Sequence, residues 1–229
     1  MLQIITSTLQ GLNSRYNLTV RHRRIGAGAV ETTTPKGVVV WLTGMSGAGK
    51  STIAQALVKR LQTFALRATV LDGDALRTGL NSDLGFSEAE RTENLRRVAH
   101  VAALFCDEGF VAITATISPE SKHRDNARRI VGDAAFVEVF IDTPLDVCEK
   151  RDPKGLYKRA RRGEINQFTG LSAPYEPPLN PDVIVHTQSA DVTQCVDRII
   201  DYLVRTHRIQ PKLNQWKVSS QHPHLSAPH

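Results

Sequence analysis

Lys50 and Ser51 close the run Gly44-Met45-Ser46-Gly47-Ala48-Gly49-Lys50-Ser51, which fits the phosphate-loop pattern G-x-x-x-x-G-K-[ST] at each fixed position. Glycines at these places let backbone N–H groups turn inward around an anion, where a Cβ would obstruct them. Lys50 is expected to reach the β- and γ-phosphates of a nucleoside triphosphate, and the Ser51 hydroxyl to hold Mg²⁺. With Thr52, these residues form the expected ATP-binding segment. An apolar run at 38–43 precedes them and a helical pattern begins at 51, so loop, strand and helix occur in the order the chemistry requires.

Carboxylates come next. Asp72 and Asp74 flank Gly73 at the end of a second apolar run, 68–71. The third run, 110–115, leads into Thr116, Ile117 and Ser118 and carries no acid, so the acidic work falls to Asp72 or Asp74. One would orient the metal; the other could accept a proton from an attacking hydroxyl. Arg77 follows Asp74 by three residues and points back toward the same edge. Arg91, Asn94, Arg96 and Arg97 crowd the start of a helix opened by the capping box Ser87-Glu88-Ala89-Glu90. Arginines there oppose the helix dipole, which calls for an anionic partner: an acid of the protein or a substrate.

The elements that must position these residues alternate. Strands are expected at 38–43, 68–71, 110–115, 136–141 and 183–185. Helices are expected at 51–63, from 88 to near Gly109, at 119–131 with Pro119 as its opening residue, at 145–150 and at 192–204. The strand runs are apolar throughout rather than alternating, as in a parallel sheet covered on both faces. The expected fold is α/β in three layers, a five-stranded parallel sheet flanked by helices. Residues 151–181 break the rhythm with six cations, Gly and Pro, and read as a basic lid over an active site.

The chain has 229 residues and a net charge of +6. Residues 1–37 hold five cations against Glu31, and 205–229 hold four against none, which leaves −2 for 38–204. The basicity belongs to the ends, which weighs against a nucleic-acid partner. No apolar run approaches the ~20 residues of a membrane helix, so no membrane partner is expected. Residues 1–35 are read as a flexible extension, 36–207 as the folded domain and 208–229 as a disordered tail whose His222, His224 and His229 do not form a metal site. Cys106, Cys148 and Cys195 are far apart and read as buried thiols of a reducing compartment, the cytoplasm. The alternative is an organelle, if the Arg- and Ser-bearing first thirty residues are a transit peptide.

Longer blocks carry a resemblance. Leu71-Asp72-Gly73-Asp74-Ala75-Leu76-Arg77, Gly79-Leu80-Asn81-Ser82-Asp83-Leu84-Gly85-Phe86-Ser87 and Arg91-Thr92-Glu93-Asn94-Leu95-Arg96-Arg97 resemble the adenylylsulfate (APS) kinase family. So do Ile117-Ser118-Pro119, Arg151-Asp152-Pro153-Lys154-Gly155-Leu156-Tyr157-Lys158, Phe168-Thr169-Gly170 and Pro174-Tyr175-Glu176. The resemblance spans about residues 36–205. It implies transfer of the γ-phosphoryl of MgATP to the ribose 3′-hydroxyl of APS, giving 3′-phosphoadenylylsulfate (PAPS) and ADP in sulfate activation. By the same resemblance Asp74 lies near the 3′-hydroxyl, Arg77, Arg91 and Asn94 grip the phosphosulfate, and Phe86 and Phe168 sandwich the substrate adenine. Lys154 and Lys158 of the lid would close over the phosphates. Ser118, beside Ile117, matches a serine described in the family as a phosphorylated intermediate. A homodimer and a working link to an ATP sulfurylase also follow only by this analogy.

The chain departs from the family after Ser118-Pro119, where an aromatic residue or His and then Arg usually stand. Here Glu120 and Ser121 put an acid beside the expected anionic substrate, with Lys122 and Arg124 as the cations that could compensate. Two other readings stay open at this point: a different small-molecule P-loop kinase, and a nucleotide-binding regulator with reduced turnover.

Overall fold

The computed structural model describes residues 37–211. The expectations for 1–35 and for the tail from 212 onward, with its three histidines, lie outside the described residues.

β1 (Val38–Thr43) is buried along its whole length and feeds two cores at once. Val38, Val40 and Leu42 face one, whereas Val39 and Trp41 face the other, because successive strand side chains point to opposite sides. The chain then forms α1 (Lys50–Thr63), β2 (Ala68–Asp72), α2 (Gly73–Arg77), α3 (Glu88–Asp107) and β3 (Val111–Ala115). It continues as α4 (Ser121–Val131), β4 (Phe136–Asp142), α5 (Leu145–Arg151), α6 (Leu156–Arg161), β5 (Val183–His186) and α7 (Val192–Arg205). All strand pairs are parallel, in the order β2-β3-β1-β4-β5.

α1 and α7 cover one face, contributing Ile53, Leu57, Ile199 and Leu203 to that core. α3 and α4 cover the other through Leu95, Val98, Ala102 and Ala127. This is the expected three-layer α/β fold. At roughly 25 cal/mol per Å² of apolar surface removed from water, burying both sheet faces supplies the main stabilising term. The capping box is present: Ser87 accepts from the Glu90 N–H, and Glu90 reaches back to the Ser87 N–H at 3.0 Å.

Three features differ from expectation. α4 begins at Ser121 with Glu120 as its N-cap, two residues beyond Pro119. The short helices α2 and α6 carry too few residues to show a period. Ile209 is buried in the core, so packed chain runs past residue 207. Among the described residues, no helix is long and apolar enough to cross a membrane.

Candidate active site

The turn between β1 and α1 is the phosphate loop. Gly44, Gly47 and Gly49 all have positive φ, at 152°, 75° and 106°. A Cβ at Gly44 would sit 2.8 Å from the Ile141 carbonyl oxygen, and one at Gly47 would sit 2.8 Å from that of Cys148. Only glycine fits these positions. Gly49 caps α1 without a side-chain bond, and the first turn of α1 holds no acid. Its N–H groups therefore remain for an anion. Lys50 is buried, and its Nζ donates to the Gly44 and Met45 carbonyls at 2.8 Å each. Burial pushes its pKa down to about 8.

The loop is braced from the β4–β5 side. The Ala48 carbonyl accepts from Thr143 at 3.2 Å and from Thr187 at 2.8 Å. Arg151, the last residue of α5, donates to the Thr187 hydroxyl at 2.9 Å and to its carbonyl at 2.7 Å. The Tyr157 hydroxyl, on α6, donates to the Ser46 carbonyl at 2.9 Å.

On the opposite side stand the carboxylates of Asp72, the last residue of β2, and of Asp74 in α2. Ser51 Oγ donates to Asp72 Oδ2 at 2.6 Å, and Asp72 Oδ1 caps α2 by accepting from the Asp74 N–H at 2.9 Å. Asp72 and Ser51 thus bring two hard oxygen donors together at the mouth of the loop, a set that suits Mg²⁺. Asp74 is exposed and pairs with Lys154 of the insert.

A cleft of about 1300 Å³ joins these parts. That exceeds the ~300–1,000 Å³ of an ordinary small-molecule site and leaves room for two nucleotides. Ser118 lines it at 1 % exposure with φ +37°, a left-handed conformation uncommon outside glycine. Its Oγ accepts from Trp41 Nε1 at 3.1 Å. Arg77 lies over the Phe86 ring, 4.4 Å from its centroid, and donates to the Gly85 carbonyl at 2.9 Å. Burial and the neighbouring Arg91 guanidinium lower its pKa. Arg91 donates to the Phe86 carbonyl and to the Gln167 carbonyl, both at 2.8 Å. It therefore ties the start of α3 to the insert. Asn94 accepts from Asn81 at 3.0 Å.

The model of the adenylylsulphate kinase family matches residues 36–186. An adenylyl-sulfate kinase of Paraburkholderia xenovorans is 59 % identical over 174 residues, which cover 76 % of this chain and 97 % of the relative. One from Clostridium acetobutylicum is 55 % identical, over 76 % of this chain and 86 % of that protein. The chain belongs to the adenylylsulphate kinase family. The APS kinase of Mycobacterium tuberculosis, solved with AMPPNP and APS, superposes with a TM-score of 0.72 at 49 % identity, covering 74 % of this chain and 99 % of that one.

Most of the residues expected to act do share the cleft of this adenylylsulphate kinase family member. Ser46, Gly47, Gly49, Lys50, Ser51 and Thr52 line it from the donor loop. Asp74, Arg77, Phe86, Arg91, Asn94, Ile117, Ser118, Lys154 and Phe168 line it from the other elements. Gly44 and Ala48 shape the loop from behind, and Met45 borders a shallower groove with Gly170 and Tyr175. The two phenylalanines differ in setting: Phe86 is 66 % exposed, whereas Phe168 is 7 % exposed and meets the Tyr157 ring edge-on at 4.9 Å.

Lys158 is not brought into the cleft. Its side chain is exposed and its N–H bonds Asp152, while Arg159 of the same helix lines the site. Arg96 and Arg97 are held by Glu93 at 2.6 and 2.9 Å, and Arg97 also by Asp83 at 2.7 Å. They are ion pairs of α3. The compensation expected from Lys122 and Arg124 is likewise absent, because neither lines the cleft. Lys122 neutralises Glu120 and Glu88 at 2.7 Å each, and Arg124 is buried behind Ser118.

Thr187 and Arg151 were missed as site residues. Thr187 directly follows β5, so carrying the strand-end reading past β3 would have found it. Arg151 offers no such signal, since one arginine among six cations gains its role only through where α5 ends.

Proposed function

We propose that this chain transfers the γ-phosphoryl group of ATP to the ribose 3′-hydroxyl of adenosine 5′-phosphosulfate, giving PAPS and ADP. The observation that carries this reading is one continuous cleft. It joins the phosphate loop and Ser51 to Asp74, the Arg77 and Arg91 guanidiniums, and two phenylalanine rings, while Asp72 does not line it and stands behind Ser51 at 2.6 Å.

The sheet order divides the labour. β1 supplies the loop, and Thr187 and Arg151 flank it on the β4–β5 side, where the donor nucleotide would lie. β2 and β3 supply Asp74, Ile117 and Ser118 for the acceptor. Ser51 and Asp72 would hold Mg²⁺, which when bound neutralises charge on the phosphates. Lys50 adds a fixed cation at the same end. Asp74, which Ser51 does not engage, is left to orient the 3′-hydroxyl and take its proton as the oxygen attacks in line. Lys154, already beside Asp74, places an ammonium where negative charge gathers. Arg77, Arg91 and Asn94 donate to the phosphosulfate, and Phe86 and Phe168 offer faces to the adenine. The 151–181 insert acts as the lid that excludes water.

The described cysteines form no disulfide and are buried, as suits a reducing compartment, and the reading puts the reaction in the cytoplasm. A homodimer and a working link to an ATP sulfurylase belong to the same proposal, supported by family analogy.

One assay tests it. Purified protein with MgATP is offered APS, adenosine monophosphate or gluconate, and product is followed directly. PAPS from APS alone is the expected result. Phosphorylation of another acceptor would make it a different kinase, and binding without product would make it a regulator.

A further inference from the structure

Behind Ser118 lies a set of contacts outside the cleft. Arg124, 3 % exposed, projects from α4 beneath the Ser118 turn. Its Nη1 donates to the Ser118 carbonyl at 2.8 Å and its Nη2 to the Glu176 carbonyl at 2.9 Å. Its Nε meets Glu138 Oε1 at 2.8 Å, and Glu138 pairs in register with Trp41, whose indole holds the Ser118 hydroxyl.

Glu176 closes the circuit from the other direction. The N-cap residue of α4, Glu120, makes no side-chain cap bond. Glu176, fifty-five residues from Ser121 in sequence, supplies the cap instead. Its Oε2 accepts from the Ser121 N–H at 2.7 Å and from the Ser121 hydroxyl at 2.9 Å. Its own N–H donates to the Pro119 carbonyl at 2.8 Å. Beside it, Tyr175 stacks on Phe140 at 6.0 Å, and its hydroxyl lies 3.0 Å from Thr43 Oγ1. Thr43 already donates to the Ile117 carbonyl, so Tyr175 is the donor in that pair.

We propose that Arg124 and Glu176 are positioning residues that clasp the far end of the 151–181 insert to the Ser118 turn and thereby set the width of the acceptor half of the cleft. The inference rests on the kinase reading above. Phe168 and Lys154 come from the insert, and Ile117 and Ser118 from the turn, so an acceptor lying between them depends on how the two are held together. The donor loop is braced away from the clasp, by Thr143 and Thr187 from the β4–β5 side and by Arg151 and Tyr157 at the opposite end of the insert from Glu176. Loosening the clasp therefore acts on one substrate and spares the other. Positional errors near 1 Å are enough to register in turnover.

Glu176→Ala removes the cap, whereas Glu176→Gln keeps an oxygen that can accept from Ser121. The expected result is a KM for APS raised about tenfold in Glu176→Ala, with the KM for ATP unchanged and Glu176→Gln close to the parent. Arg124→Lys, which cannot bridge two carbonyls, should behave like Glu176→Ala. An unchanged KM for APS, both KM values rising together, or failure of Glu176→Gln to restore the parent value would overturn the clasp. If the parent protein makes no PAPS, the kinase reading fails by itself, and amide exchange at residues 168–176 judges the clasp. Faster exchange in Glu176→Ala than in the parent or Glu176→Gln supports it; equal exchange in all three overturns it.

Discussion

The indole of Trp41 donates to the Ser118 hydroxyl at 3.1 Å, from a side chain buried in the central strand. A serine that attacks phosphorus must hand its proton to a base, and an indole N–H is a donor only. Direct in-line transfer needs positioning and charge, which the cleft supplies without Ser118 as a carrier. Ser118→Ala is therefore expected to keep turnover within about threefold, while the unpaired buried indole lowers stability by about 1–3 kcal/mol. Steady-state kinetics and thermal melts measure the two effects separately. A loss of several orders of magnitude in kcat would restore the phosphoserine route.

Asp74 carries the opposite expectation. Its carboxylate lines the cleft beside Lys154, and Asp72 is already engaged by Ser51 and the Asp74 N–H. Asp74→Asn keeps the shape and removes the proton acceptor, so kcat should fall about 10²–10⁴-fold with ATP affinity nearly unchanged. Rapid-quench turnover and ATP titration together check this. A fall of less than about tenfold would take the proton away from Asp74.

Lys50 makes ATP binding pH-dependent in a definite direction. Burial holds its pKa near 8, against 10.5 for an ordinary lysine. A lowered lysine pKa means that the unfolded chain binds more protons between those two values, so stability rises with pH across that window. The cost of the buried charge is fully present below pH 8. Phosphate favours the charged form, so ATP binding at pH 8.5 should draw a proton onto Lys50, and binding at pH 6.5 should not. Calorimetry in two buffers of different ionisation heat reads that uptake, and Lys50→Met should abolish it.

The two phenylalanines separate binding from folding. Phe86 is 66 % exposed, so Phe86→Ala should change stability by no more than about 0.5 kcal/mol. It should still raise the KM for APS, by an amount equal to the ~1–3 kcal/mol of one base stack. Phe168 is 7 % exposed against Tyr157, and Phe168→Ala should cost about 3–5 kcal/mol of stability. Melting curves beside acceptor kinetics decide it; equal stability losses in the two variants would remove the distinction.

Much of the frame was legible along the chain because it rests on local rules. Apolar runs without alternation marked the buried parallel strands, and the capping box at Ser87 marked the start of α3 to the residue. The helices α2 and α6, of five and six residues, span under two turns and leave no period to read. The placement of Lys158 is illegible for a related reason: in a basic segment, only the phase of α6 decides that Arg159 and not Lys158 lines the cleft. The acid at Glu120 looked exposed to substrate until its neighbour Lys122 proved to hold it.

The residues from Gly44 to Ser51 determined by themselves that this chain has a phosphate loop, since glycine, lysine and serine at that spacing between a strand and a helix serve an anion through adjacent backbone and side-chain groups. Partners distant in sequence were left to the tertiary structure. Ser51 with Asp72 and Trp41 with Ser118 meet because parallel strands bring their ends to one edge, and Arg124 with Glu176 because α4 and the insert both bond the turn that follows β3 there. A parallel sheet joins each pair of strands through a long crossover, so the distance between two strand ends in space is unrelated to their distance in sequence.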